Sequence, residues 1–221
     1  MHPIQKHILH ELIFHSFLPY SRLKPQGIES NLFIYHLKQL ISEGLIQKRA
    51  DGKYELSPEG QSFIEHLSLK NLKPIIQPKI VTLIVCQNKN GEFLLYKRNH
   101  QPFLGLVGFP YGKIHLGETI AEAAERELKE KTDLSAELQH RGDVYLTTFR
   151  DKNLLTQTFC HIFTANNVKG ELLAKSEIGE CFWSKIDFSE EKLIPGFKDV
   201  LNLVKKSKNN LFFAEFIYHL K

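Results

Sequence analysis

Glu127 and Glu130 stand three residues apart in the acid-rich run Glu118-Thr-Ile-Ala-Glu-Ala-Ala-Glu-Arg-Glu-Leu-Lys-Glu130. On a helix that spacing sets two carboxylates one turn apart on the same side. Carboxylates are hard oxygen donors and suit magnesium, which takes oxygen ligands and keeps part of its water shell. Such an ion neutralises phosphate oxygens and holds or activates a water for in-line attack on a diphosphate. Gly112, ahead of the run, lets the backbone come close. The plainer account of an acid-rich helix is a solvated face with i, i+4 ion pairs, and Glu122 with Arg126 and Glu125 with Lys129 have that spacing.

These residues need elements to hold them. A helix is predicted from about Thr119 to Thr132. Before it, Ile80-Val-Thr-Leu-Ile-Val-Cys86 and Phe93-Leu-Leu-Tyr-Lys-Arg98 are apolar, β-branched or aromatic runs. Asn88-Lys-Asn-Gly91 lies between them, so the two runs are expected to pair as a hairpin. A glycine-rich loop, Gly105-Leu-Val-Gly-Phe-Pro-Tyr-Gly112, follows.

The stretch from Gly112 through Glu118 and Arg126-Glu127-Leu128-Lys-Glu130-Lys131-Thr-Asp133-Leu134 resembles the Nudix box. That motif reads Gly, five residues, Glu, seven residues, then Arg-Glu-apolar-x-Glu-Glu-x-Gly-apolar. Seven of its nine specified positions match at full spacing. Gly108-Phe-Pro-Tyr-Gly112 is similar to the family's entry to the box, and Glu180-Cys-Phe-Trp183 to a later strand. The resemblance covers roughly residues 78–206. It implies an α/β fold, an α/β/α sandwich with a mixed sheet, in which the box is a loop-helix-loop. It also implies a magnesium-dependent hydrolase (manganese being an alternative) acting on a nucleoside diphosphate derivative. The metal would be held by Gly112, Glu127 and Glu130, with Arg126 and Glu118 orienting the carboxylates, and Arg98 would bind substrate phosphate.

Two box positions depart from the motif. Asp133 replaces Gly where the helix ends in a left-handed conformation, which Asp adopts more easily than most residues. Lys131 replaces a glutamate. On the helical wheel it falls between Glu127 and the apolar stripe of Ala124 and Leu128, in the favourable i, i+4 order for pairing with Glu127. It therefore borders the site and weakens it. The other reading is that Lys131 snorkels outward and a loop acid, Glu177 or Glu180, completes the site. For a substrate base, Phe103, Phe109, Tyr111, Tyr145 and Phe149 are candidates to stack, although such aromatics are more often core.

The remainder of the chain is read as a smaller N-terminal domain at 1–70, a proline-containing linker at 71–77, the larger domain at 78–206 and a packing extension at 207–221. Ile4, Ile8, Leu9, Leu12 and Ile13 recur at helical spacing, as do Phe33, Ile34, Leu37, Leu40 and Ile41, with Gly44 as the stop. Ala50-Asp51-Gly52 signals a hairpin, and Ser57-Pro58 starts another helix. The order resembles a winged helix-turn-helix, whose third helix enters the DNA major groove. Residues 1–70 hold eight basic and seven acidic side chains, a net of +1. Phosphate neutralisation dominates non-specific DNA affinity, so only a focused patch such as Lys38, Lys48, Arg49 and Lys53 would serve. A solvated or dimer-forming module is the alternative. His7, His10 and His15 are not at metal-ligand spacing and read as surface residues, while His36 reads as a packing residue.

The 221-residue chain is 42% apolar and 24% charged with a net charge of +4, which excludes disordered and fibrous classes and permits an anionic partner. No apolar run approaches the ~20 residues of a membrane span. Cys86, Cys160 and Cys181 are read as reduced and structural, in a cytoplasm. The aromatic tail Asn210–Leu220 is expected to pack on the first domain or on a second copy, leaving a homodimer open. Two functions remain: the hydrolase, and a transcriptional regulator whose Nudix fold senses a nucleotide, a known combination of these two folds.

Overall fold

The computed structural model describes residues 1–176, 179–185, 192–208 and 210–220. The chain forms two compact units, Met1–Gln77 and Pro78–Lys221, divided at the end of the proline-containing linker.

In the first unit the elements are α1 (Pro3–Phe14), α2 (Tyr20–Leu23), α3 (Ser30–Ser42), β1 (Ile46–Lys48), β2 (Tyr54–Leu56) and α4 (Pro58–Glu65). Pro58 sits in the first turn of α4, and the Ser57 side chain caps it by accepting from the Gly60 amide at 2.9 Å. Ile8, Leu9, Leu23, Phe33 and Leu40 are fully buried at the centre of one core. The buried stripe of α3 is narrower than its apolar residues suggest. Phe33, Leu37 and Leu40 are inside, but Ile34 and Ile41 lie at the surface, and His36 is buried in their stead. His36 can turn inward because its ring stacks on His2 and its Nδ1 is 3.1 Å from Gln39 Oε1. His7, His10 and His15 are half-buried or exposed.

The second unit contains β3 (Lys79–Cys86), β4 (Phe93–Arg98), β5 (Val107–Gly108), β6 (Tyr111–Lys113), α5 (Ile120–Thr132), β7 (Ser135–Arg150), β8 (Asn153–Lys169), β9 (Lys175–Ser176), β10 (Gly179–Ser184), α6 (Phe197–Ser207) and β11 (Phe212–Leu220). A mixed five-stranded sheet runs β11-β7-β8-β3-β6 and a four-stranded one β5-β4-β10-β9. One core packs α5 on these sheets through Ala124 and Leu128, and the other packs α6 through Phe197, Val200 and Leu201. The layering is α/β/α.

The runs at 80–86 and 93–98 do not pair as a hairpin. Both edges of β3 are taken, by β6 and by β8, so β4 leaves for the other sheet and pairs with β10 and β5. The turn between them still forms, with Gly91 N donating to Asn88 O at 3.1 Å and Gly91 at φ +78°. The aromatic tail also differs from expectation. It pairs within its own unit, as β11 running parallel to β7 from Phe212–Gly142 to Leu220–Arg150. Gly142 permits this approach, because a Cβ there would overlap the Phe212 carbonyl. The three thiols are free and buried, and burial pushes Cys86 and Cys181 up to about 11 and Cys160 to about 12, so they stay protonated. Among the described residues no helix is long and apolar enough to cross a membrane.

Candidate active site

Local sequence places the acids. Thr119 caps α5 by accepting from Glu122 N, while Glu122 reaches back to the Thr119 amide at 2.8 Å, a reciprocal capping box. This occupies Glu122, so it does not pair with Arg126. Likewise Lys129 turns to Asp133 at 2.5 Å instead of Glu125. Asp133 ends α5 in the left-handed region at φ +57°.

Arg126 gathers the cluster. Its Nε and Nη2 donate to the two oxygens of Glu118 at 2.5 and 3.0 Å, and its Nη1 donates to Glu127 Oε1 at 2.9 Å and Glu130 Oε2 at 3.1 Å. A further bond from Nη2 to the Lys113 carbonyl, 2.9 Å, ties the group to β6. The guanidinium is held even more firmly protonated than usual, first by its bond to Glu118. Conversely Arg126, with the His115 amide, lowers the Glu118 carboxyl to about 2. Glu127 is buried against β6, and a Cβ at Gly112 would overlap its carboxylate. Only glycine leaves room for that side chain. Glu130 is 59% exposed, facing solvent.

Lys131 neither snorkels outward nor merely borders the site. It is 8% exposed, and its Nζ lies 2.6 Å from Glu127 Oε2 and donates to the carbonyl of Tyr111. The ammonium also sits 5.9 and 5.5 Å from the ring centroids of Tyr96 and Tyr111, within cation–π range. Of the acids considered as replacements, Glu180 is on β10 with Lys175 3.5 Å away, and Glu177 lies outside the described residues. A helical wheel can set Lys131 beside Glu127. It cannot supply the carbonyl and the two rings that fix the ammonium, because these come from other strands.

Three carboxylates beside a glycine whose missing Cβ leaves a cradle are a donor set suited to a hard divalent ion. Both oxygens of Glu127 are already engaged, one by Arg126 and one by Lys131. An ion would therefore compete with the ammonium for the same oxygen.

Arg98 lies at the end of β4, buried, with Nε and Nη2 donating to the carbonyls of His100 and Gln101 at 3.1 and 3.2 Å. Desolvation pulls its affinity for the proton down, yet a guanidinium remains charged. It lines an apolar cavity with Lys79, Phe103, Phe109, Tyr111 and Ile194. Tyr111 links the cavity to the box, since its ring lies 5.7 Å from Arg98 and 5.5 Å from the Lys131 ammonium. Among the aromatics considered for base stacking, Phe109 is core, stacked on Phe197 at 4.3 Å. Tyr145 and Phe149 are not in the cavity lining and pack instead on Phe159 and His219. Lys79 could not be anticipated, as nothing in its local sequence marks it.

The NUDIX domain family model matches residues 77–201. The chain belongs to the Nudix family. It is 28% identical over 143 residues to the ADP-ribose pyrophosphatase of Methanocaldococcus jannaschii, covering 62% of this chain and 83% of that protein. It is 34% identical over 82 residues to the oxidized purine nucleoside triphosphate hydrolase of Danio rerio, covering 36% of this chain and only 51% of that protein. The crystal structure of a MutT protein from Bacillus halodurans superposes with a TM-score of 0.52 at 25% identity, over 64% of this chain and 90% of that one. The family model's match begins at residue 77, so it bears on the box and not on residues 1–76.

Proposed function

We propose that the chain is a Nudix-type hydrolase that cleaves the diphosphate bond of a nucleoside diphosphate derivative of the ADP-ribose kind, at a rate limited by Lys131. The observation that supports it best is the carboxylate cluster that Arg126 ties together beside Gly112. The substrate class follows the similarity to an ADP-ribose pyrophosphatase. Magnesium, or manganese, would be held by the Gly112 carbonyl, Glu127 and Glu130, and would supply neutralisation of the phosphate oxygens. Arg126 keeps Glu118, Glu127 and Glu130 in one fixed array, so their like charges do not drive them apart. Arg98 and Lys79 offer positive charge to the diphosphate from the cavity side, and Phe103 and Tyr111 offer faces to a ring.

The test is formation of AMP and ribose 5-phosphate from ADP-ribose across a magnesium titration. Wild type should turn over slowly and need high magnesium. Lys131→Glu frees Glu127 and restores a carboxylate, so it should raise the rate by about tenfold or more and lower the magnesium requirement. Glu130→Gln should abolish turnover. If neither wild type nor Lys131→Glu cleaves this or related diphosphates, the hydrolase reading fails.

The ammonium on Glu127 favours one second reading, a regulator in which the Nudix fold binds such a nucleotide without cleaving it. The order of three helices, hairpin and helix in the first unit supports a winged helix there. Its wing is poorly charged for DNA, since Arg49 is 2.8 Å from Glu55 and Lys53 is 3.2 Å from Asp51. A gel shift on genomic fragments at rising salt decides it: sequence-specific binding altered by ADP-ribose would establish the regulator.

A further inference from the structure

His140, Asp143 and His161 come together on the five-stranded sheet, in the row that runs from Asp143 and His161 through Thr82 to Gly112 of the box. Asp143 Oδ1 lies 3.0 Å from His140 Nε2 and 2.7 Å from His161 Nδ1, and the donor atoms of the three lie within 4.8 Å of one another. Asp143 is opposite His161 across β7 and β8, which places both side chains on one face. The next pair, Val144 and Cys160, faces the α6 core. His140 should not belong with them, because residues three apart in a regular strand point to opposite faces. A register shift between His140 and Gly142 breaks the alternation there. The bulge inserts Arg141, whose buried side chain goes instead to Ser207 Oγ at 3.3 Å. That one extra residue re-aims His140 to the side of Asp143 and His161.

We propose that His140, Asp143 and His161 form a metal site, distinct from the Nudix box, for a divalent transition ion of the zinc class. Two imidazoles and one carboxylate are a donor set for zinc rather than magnesium, which prefers oxygen alone. Bonds of ~2.0–2.1 Å in a tetrahedron set the ligand atoms about 3.3 Å apart. The two carboxylate–imidazole separations, 3.0 and 2.7 Å, would open by about 0.3 and 0.6 Å to admit the ion. Apolar rings enclose the imidazoles, Phe163 at 5.3 Å from His140 and Phe159 at 5.1 Å from His161. His140, with 37% of its side chain exposed, leaves the open side through which the ion enters and a water completes the coordination. The bound ion would clamp β7 to β8 across the bulge, a structural rather than a hydrolytic role.

The probe is cobalt(II), added to the chelator-stripped full chain with magnesium in excess, followed by its visible absorption and by competition with zinc. One equivalent should bind with the intense band of a four-coordinate site, and zinc should displace it. Asp143→Asn and His140→Gln should each weaken binding by at least ~10-fold, the lower end of what even an outer partner of a ligand costs. His140→Gln is the safer variant for folding, being partly exposed. Glu127→Gln and Glu130→Gln should leave the band intact. No band up to millimolar cobalt, a band that survives His140→Gln unchanged, or one lost with Glu130→Gln would each overturn the proposal and leave a hydrogen-bonded triad.

Discussion

Lys131 is where charge and burial meet most sharply. With 9% of each side chain exposed, the Lys131–Glu127 pair is removed from solvent, and removing one partner strands the other. Arg126 still contacts Glu127, so the cost is partial. Lys131→Met should lower stability by about 1–3 kcal/mol in metal-free buffer, below the full cost of a broken buried pair. Magnesium should restore part of it if the ion binds where the ammonium stood. Urea unfolding with and without magnesium reads both effects. Glu118 gives a pH dependence of known sign. Its carboxyl sits at about 2 in the folded protein against an ordinary 4.5, so the unfolded chain binds the proton more readily. The stability it contributes is therefore complete above about pH 4.5 and drains away as pH falls toward 2. The stability gap between wild type and Glu118→Gln should shrink over that window and stay constant from pH 5 to 7.

At the scale of elements, α5 is held by its ends. Thr119→Ala removes half of a capping box and should cost about 1 kcal/mol in equilibrium unfolding. Gly112→Ala acts differently, because the new methyl takes the space of the Glu127 carboxylate. It should eliminate turnover in a protein that remains folded, with near-native circular dichroism separating the two effects. The strand β11 depends on Gly142 in β7, and a methyl there would press on the Phe212 backbone. Gly142→Ala should cost about 1–3 kcal/mol, the usual range for a strained backbone site. Burial, and then the 2.6 Å bond to Asp199, push the Tyr218 hydroxyl above its usual value, so Tyr218 keeps its proton and keeps donating to α6 at any physiological pH.

For the whole molecule, three cores among the described residues answer two different stretches of sequence, one in residues 4–72 and two in 81–201. The C-terminal strand extends the second unit's sheet by nine residues, and its deletion would expose the edge of β7 along Gly142–Arg150. A full chain truncated after Ser207 should therefore unfold at a lower temperature and aggregate more readily, as unpaired strand edges do. Thermal scans with light scattering would show both. The wing's paired cations set a further expectation: without a specific operator, the chain should show no steeply salt-dependent binding to bulk DNA.

The sequence by itself determined what local rules govern. Helix ends at Thr119, Asp133, Ser57 and Gly44 were readable because capping and left-handed turns depend on a few neighbouring residues. Helical spacing likewise set Glu127 and Glu130 one turn apart on one side of α5, and the resemblance to the box motif added Glu118 and Arg126 to them. Tertiary structure alone decided which strands pair. Asn88–Gly91 makes its turn, but whether the flanking strands join depends on β6 and β8 already filling the edges of β3. It decided the depth of Lys131, which rests on a carbonyl and rings from β4 and β6. It also built the His140–Asp143–His161 cluster, because a single bulge at Arg141 inverts the alternation that the sequence would otherwise dictate.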